Sequence, residues 1–328
     1  MNAIVVYGAT GHTGRFVVEE VLRQNLPTAV SGRNAAALAT QWGDLDIRPA
    51  AVDDPHALDL ALKNAAAVIN CAGPFASTAD PVIDAAARAG IPYVDVAAEL
   101  EANVSTFARE SAFPVVPAMA FYGGLGDLLT TAALGERTSA DEVQVAYGLS
   151  SWHPTPGTRA AGQVSHDRRN GHRVRFSGGG LQYHQDQPVQ EDWTFPDPLG
   201  RRRVIAEFTM ADVITIPTHI AVPEVRTYMT LEAAGDLADS ETPAPAAVDE
   251  LGRSDQTFVV DVRVRTGGEE RRATATGQDI YAISAPLAVG AVRRILAGDT
   301  RSSGVASAGA MFDAVEFLKD LPLTLDLP

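Results

Sequence analysis

The strongest constraint on the fold lies almost at the start of the chain. Residues 3–22 read AIVVYGATGHTGRFVVEEVL. Ala3 to Tyr7 is a short, unbroken apolar run, the pattern of a strand buried on both faces. Gly8, Gly11 and Gly14 follow at G-x-x-G-x-x-G spacing. Phe16, Val17, Val21 and Leu22 then recur at helical spacing. In such a turn Gly8 allows the tight exit from the strand, Gly11 lets backbone approach a pyrophosphate, and Gly14 lets the helix lie close on the sheet. The helix start offers free N–H groups and a positive dipole end to phosphates. Thr10, His12 and Thr13 add side-chain donors. The plainer alternative is a glycine turn kept for packing alone. The surrounding elements weigh against it, because a dinucleotide fingerprint must follow a strand and open a helix.

The next hundred residues keep the alternation. Thr28–Val30 reads as strand and ends in Ser31-Gly32-Arg33-Asn34; Ala35–Gln41 reads as helix. Ile47–Val52 is an expected strand ending at Asp53-Asp54, and Pro55–Leu62 a helix with proline in its first turn. Ala66–Asn70 is a strand running into Cys71-Ala72-Gly73-Pro74. Asp80–Ala89 reads as helix, with Asp80 as cap, Pro81 at its first position and Gly90 closing it. Tyr93–Val96 and Pro114–Pro117 read as strands around a helix at 103–111. Strand and helix joined this way give an α/β fold, a parallel sheet with helices on both faces.

The end of the second strand selects the nucleotide. An NAD site carries an acidic residue there for the ribose 2′-hydroxyl. Here Ser31 can hydrogen-bond a 2′-phosphate, and Arg33 can neutralise it and stack on adenine. The expectation is NADP in preference to NAD. Asp53 falls where an adenine contact belongs, or it caps the next helix.

Phe121 to Asp127 leads out of this region, with Asp127 a good helix cap. Beyond it Glu142–Ser150 and Val225–Leu231 read as strands, and 172–176 with 182–184 as a hairpin. Residues 258–265 and 270–276 flank Thr266-Gly267-Gly268-Glu269, a strong hairpin signal. Residues 240–247, rich in Pro and Ala, read as an exposed loop. The domain expectation is 1–127, 128–278 and 279–328: a nucleotide-binding domain, an α+β substrate or dimerisation domain with a mostly antiparallel sheet, and a C-terminal helical return.

Composition removes several function classes. A formal net charge of −15 disfavours nucleic acid and anionic membrane as partners. Cys71 is the single cysteine, so no internal disulfide forms. No basic leader is visible and no apolar run nears the roughly 20 residues of a membrane span, which suggests a cytoplasmic protein. Lys63 and Lys319 are the only lysines, and no Tyr stands four residues before either. The tyrosine–lysine pair of short-chain dehydrogenases is therefore absent. Neither H-E-x-x-H nor G-x-S-x-G occurs, and no metal site is expected.

Three segments carry a family likeness: VVYGATGHTG, AVSGRN, and VINCAGPF with its continuation through VDVAAE. Together with the late run GQDIYAISAPLAVGAVRRILAG they resemble the saccharopine dehydrogenase-like oxidoreductases. The glycine motif alone is shared with NmrA-like and isoflavone-reductase-like proteins. The resemblance implies a Rossmann domain holding NAD(P), and a second α+β domain inserted before a C-terminal segment that returns to the first. It also implies that Asn70, Cys71, Ala72, Gly73 and Pro74 meet the nicotinamide ribose and pyrophosphate. Hydride transfer asks the protein for one proton donor or acceptor. Tyr122 and Asp95 are the candidates, with core packing and backbone capping as their plainer roles. His153 and Cys71 are weaker ones. Three functions fit: an oxidoreductase for a small, apolar carbonyl, imine or enoyl group, with a homodimer as the expected assembly; an NmrA-like NADP sensor without turnover; or a structural protein with a vestigial site.

Overall fold

The structure, a computed structural model, describes residues 2–328. The first part alternates strand and helix throughout: β1 (Ala3–Tyr7), α1 (His12–Arg23), β2 (Thr28–Gly32), α2 (Ala35–Trp42), β3 (Asp46–Pro49), α3 (Pro55–Leu62), β4 (Ala65–Asn70), α4 (Phe75–Ala89), β5 (Tyr93–Asp95), α5 (Leu100–Phe107) and β6 (Val115–Val116). The six strands form one sheet in the order β3-β2-β1-β4-β5-β6. All neighbours are parallel. This is the Rossmann order, with its switch point between β1 and β4. Side chains of β1 alternate between two cores: Ile4 and Val6 face one layer, Val5 and Tyr7 the other. That two-sided burial is why β1 is apolar at every position.

Several expected boundaries move, each for a local reason. The fourth helix starts at Phe75 rather than Asp80, which leaves Pro81 inside it. Its first-turn N–H groups do not need Asp80, because Glu99 supplies oxygens to Phe75 and Ala76. The third strand ends at Pro49, with Ala50 N making the last bond to Gly32 O at 3.0 Å. Asp54, not Asp53, caps α3 by accepting from Ala57 N. Asp53 is left exposed.

A wide turn at Phe121–Leu125 leads into α6 (Gly126–Leu134). The cap position is Leu125, so Asp127 lies within α6 and does not cap it. There follow β7 (Glu142–Leu149), α7 (Pro156–Arg168), β8 (Arg173–Ser177), β9 (Gly180–His184), β10 (Gln190–Thr194), β11 (Arg201–Ala206), α8 (Asp212–Thr215), β12 (Val225–Thr230), α9 (Leu231–Ala238), β13 (Thr257–Thr266) and β14 (Glu269–Gln278). The chain continues through α10 (Ser284–Ala297), α11 (Ala308–Met311), α12 (Ala314–Lys319) and β15 (Thr324–Asp326). A second sheet runs β10-β11-β12-β7-β13-β14-β15, with the β8–β9 hairpin attached to β12. Every pair in it is antiparallel except β12–β7.

The C-terminal stretch is only partly the helical return expected. Helix α10 packs on α1, β4 and β5, while α11 and α12 pack on α6 and β15 extends the second sheet. One apolar core runs through both parts, from Val17 and Ile69 to Val262, Leu287 and Phe317. Among the described residues no helix is long and apolar enough to cross a membrane, and no group of three or more His, Cys, Asp or Glu is placed to hold a metal.

Candidate nucleotide site

The site forms at the carboxyl ends of the parallel strands. Gly8 leaves β1 at φ +84°, and a Cβ on it would stand 2.7 Å from Ala72 N. The β1 and β4 loops therefore touch through bare backbone. A Cβ on Gly14 would run into the Gly8 carbonyl oxygen, so only glycine lets α1 lie this close to the strand end. Ser31 O accepts from Gly8 N at 2.9 Å and Ala9 N at 3.2 Å, and Trp42 Nε1 donates to Ala9 O at 3.1 Å. These bonds fix the turn from outside. No side chain caps α1, whose cap residue is Gly11. Its first N–H groups are thus open to an anion, and the dipole favours one there. Beside them lies an open hollow of about 460 Å³ lined by Thr10, Gly11, His12, Arg15 and Gln41.

The glycine turn, with Thr10, His12 and Thr13, sits together at this hollow's edge. Arg33 and Asp53 are exposed at the ends of β2 and β3, and both act electrostatically on the Tyr7 hydroxyl between them. Ser31 is different from expectation. It is fully buried, and its hydroxyl donates to Arg48 O at 2.7 Å, so its role is to tie β2 to β3. Gly73 is exposed, and Ala72 and Cys71 are half-buried. Burial pushes the Cys71 thiol up, with the Asp95 charge adding to the shift, so it stays protonated. Asn70 is also buried. Its oxygen accepts from Ala72 N at 3.0 Å and its amide donates to the Tyr93 hydroxyl at 3.1 Å. It shapes the loop and does not line it.

The two acid–base candidates are enclosed. Asp95 accepts from Tyr93 OH at 2.8 Å, Ala97 N at 3.0 Å and Ala118 N at 2.8 Å. Burial lifts it to about 6 even though these bonds pull it down. Its geometry is that of a tether joining the ends of β5 and β6, the plainer of the two roles expected for it. Tyr122 lies in an aromatic group with Phe121, Tyr147 and Trp152, at 4.8, 5.0 and 5.1 Å between ring centroids. Its hydroxyl is buried with no hydrogen-bond partner among the described residues. Burial raises its pKa well above the usual phenol value, so it can only act as the neutral O–H.

Four residues of this region have roles that their sequence surroundings do not signal. Glu99 closes the start of α4, as given above. Tyr281 joins the glycine turn to the second part through His12. Asp212 is fully buried under the Tyr147 hydroxyl, which donates to it at 2.9 Å. Asp127 pairs with His219. Each depends on a partner 23 to 269 positions away, and no spacing rule reports such a pair.

Fold and turn define a dinucleotide-binding protein of the Rossmann class. Residues 4–119 match the model of the saccharopine dehydrogenase NADP binding domain. Over those residues the chain is similar to the nucleotide-binding domain of the saccharopine dehydrogenases, and the cofactor class of that domain is NADP. A saccharopine dehydrogenase-like oxidoreductase of Rattus norvegicus is 33% identical over 117 residues, covering 29% of this chain and 27% of the rat protein. A probable mitochondrial saccharopine dehydrogenase-like oxidoreductase of Arabidopsis thaliana is 31% identical over 142 residues, covering 36% and 31%. The aligned part is thus about a third or less of these relatives. The apo saccharopine dehydrogenase (L-Glu forming) of Saccharomyces cerevisiae superposes over 100% of both chains with a TM-score of 0.64 at 13% identity, a likeness of fold.

The cytoplasmic expectation is corrected by the relatives' own names. The plant protein is named mitochondrial. A Caenorhabditis elegans relative, 32% identical over 136 residues and covering 35% of this chain and 32% of its own, is named a lipid droplet localized protein. The lack of a recognisable leader was too weak a ground for a compartment.

Proposed function

We propose that this chain is an NADP-dependent oxidoreductase acting on a small, apolar carbonyl, imine or enoyl group. The observation that carries the reading is the uncapped start of α1 beneath a turn with no room for a Cβ at Gly8 or Gly14. Gly8, Thr10, Gly11, His12, Thr13 and Gly14 would hold the pyrophosphate by backbone and side-chain donors. Arg33 would neutralise the 2′-phosphate, with Asp53 on the adenosine side. Cys71, Ala72 and Gly73 would border the nicotinamide ribose.

Bound NADPH supplies the hydride. The protein's share is orientation and one proton. Tyr122 is the group best suited to give it, since its neutral hydroxyl has no other partner. The aromatic rings around it exclude water and favour an uncharged substrate over a charged one. Glu99 already fills the start of α4, so a substrate carboxylate finds no anion site there.

One observation favours a second reading, a redox sensor that binds NADP without turnover: Tyr122 and Trp152 are both buried, so the proton donor is enclosed. Calorimetric titration with NADPH and NADH, followed by NADPH oxidation with 9,10-phenanthrenequinone and a set of enones, separates the two. Binding with turnover supports the enzyme and binding without it the sensor. No binding of either nucleotide removes both.

A further inference from the structure

Tyr281 stands where three distant segments meet. Its ring edge rests on the ring of His12 in the glycine turn, at 5.1 Å between centroids and 86°. Its hydroxyl lies 3.3 Å from Trp152 Nε1, 3.3 Å from Thr155 N and 3.0 Å from Thr158 Oγ1, and it is 3.2 Å from the His153 carbonyl. The indole and the amide can only donate to it, and the carbonyl can only accept from it. One phenol oxygen therefore bonds to four residues of the 152–158 segment, which runs from the loop after β7 into the first turn of α7. Asp279, fully buried, fixes the tyrosine in turn: it accepts from Tyr281 N at 2.9 Å and Ala282 N at 3.0 Å, and from Ser254 N at 2.7 Å.

The loop so held carries Trp152, whose ring lies on Tyr122 at 5.1 Å and 33°. It is a separate segment from the cofactor turn, and besides Tyr281 its side-chain tethers are at its start: Asp236 takes Trp152 N, and Gln256 donates to Ser151 O. A phenylalanine at 281 would fill the same space and keep the contact with His12. The hydroxyl serves only the loop. His12 is the first residue of α1, with Nε2 buried and unpartnered, so whatever anion settles on that helix start bears directly on the ring that touches Tyr281.

We propose that Tyr281 is a positioning residue that couples occupation of the glycine turn to closure of the 152–158 loop over Tyr122. The inference rests on the reading that the turn binds NADP. It adds that the cofactor organises the roof of the substrate space, so that the nucleotide binds first and the closed loop follows. A coupling of this kind needs a two-position element that both sites bias. Here that element is the loop, latched or released by a single hydroxyl.

Hydrogen–deuterium exchange tests it on the full chain with and without saturating NADP⁺. In the wild type, exchange should slow in residues 8–16 and also in 151–158, the latter by at least about tenfold. Tyr281→Phe should keep the slowing at 8–16 while the loop changes by less than about twofold on nucleotide addition. Thr158→Val, which removes one partner from the loop side, should reduce the loop response in the same direction. A thermal melt of each variant identifies global loosening, which would speed exchange with or without nucleotide. A Tyr281→Phe loop that gains the wild-type nucleotide-dependent protection overturns the coupling. Protection of 8–16 without any response at 151–158 in the wild type also overturns it, while leaving the NADP reading intact. Absence of protection at 8–16 in the wild type overturns that reading and the coupling with it.

Discussion

Nε2 of His219 stands 2.7 Å from Oδ1 of Asp127, and the Asp127 side chain is wholly buried. The other Asp127 oxygen accepts from Gly309 N at 2.7 Å, so this pair ties α6 to the segment after α8 and to α11. Burial pushes the His219 pKa down, but the charge and hydrogen bond of Asp127 outweigh it and the net shift is upward. A raised histidine contributes its stability fully below the ordinary value of about 6.5 and loses it as pH rises through the folded-state value. Urea unfolding of His219→Ala should show a loss on the order of 3 kcal/mol at pH 6, because a buried carboxylate is left without its cation. The loss should be smaller at pH 9. An equal loss at both would mean that the pair is not charged in the folded protein.

Asp212 gives the opposite test. Burial raises it to about 7 despite the hydrogen bond from Tyr147. A carboxyl with a raised folded pKa holds its proton longer when folded, so stability falls with pH between the unfolded value near 4 and about 7, then levels. Asp212→Asn keeps the shape and cannot ionise. Relative to the wild type it should gain stability steadily from pH 4 to pH 7, reaching on the order of 4 kcal/mol, and then stay flat. Parallel denaturation curves at both ends of that range would remove the argument.

Ser31 and Arg33 are two residues apart and should behave differently. Arg33→Ala should weaken NADPH binding by roughly 10–100-fold while leaving NADH unchanged, since a charge-assisted bond to phosphate is lost. Ser31→Ala should leave the ratio of the two affinities intact and reduce stability by about 1 kcal/mol, the worth of its bond to Arg48 O. Calorimetry of both variants decides the matter. Loss of selectivity in Ser31→Ala would show that the hydroxyl leaves Arg48 when the cofactor arrives.

Two glycines mark the extremes of tolerance. Gly14→Ala forces a methyl group into the Gly8 carbonyl and should abolish nucleotide binding and lower the melting temperature. Gly162 lies in the middle of α7, exposed, and a methyl group there would meet nothing within 4 Å. Gly162→Ala should stabilise by about 0.5–1 kcal/mol through the unfolded chain's lost freedom. A chemical denaturation series on both variants checks the contrast.

The alternating half was legible because its information is local. An unbroken apolar run, a glycine turn and an amphipathic stretch each sit in one window of sequence, and β1, α1, α3 and β4 were readable from them. The β13–β14 hairpin was equally plain, with Gly267-Gly268 between two apolar alternations. The failures share a cause. Ser31 has the side chain for a phosphate, but only the partner strand shows that Arg48 O takes it. Asp127 has the look of a cap, yet its partners lie at 219 and 309. The strands β10 and β11 are short and polar, with Trp193, Val204 and Ala206 as their buried members, so periodicity gave no signal.

Helix α10 places Leu287, Ala288 and Val292 in the core against α1, β4 and β5. More than 150 residues separate it from the last strand of the parallel sheet, and nearly all of the second sheet is made in between. During synthesis, the nucleotide-binding half must therefore wait with one apolar face uncovered until residues 284–297 emerge. At ribosomal rates of about 5–20 residues per second that is roughly 10–30 seconds of exposed surface. The region that reads most clearly as an independent unit is among the last to be sealed, and a nascent chain stalled in the second sheet is the form most in need of a chaperone.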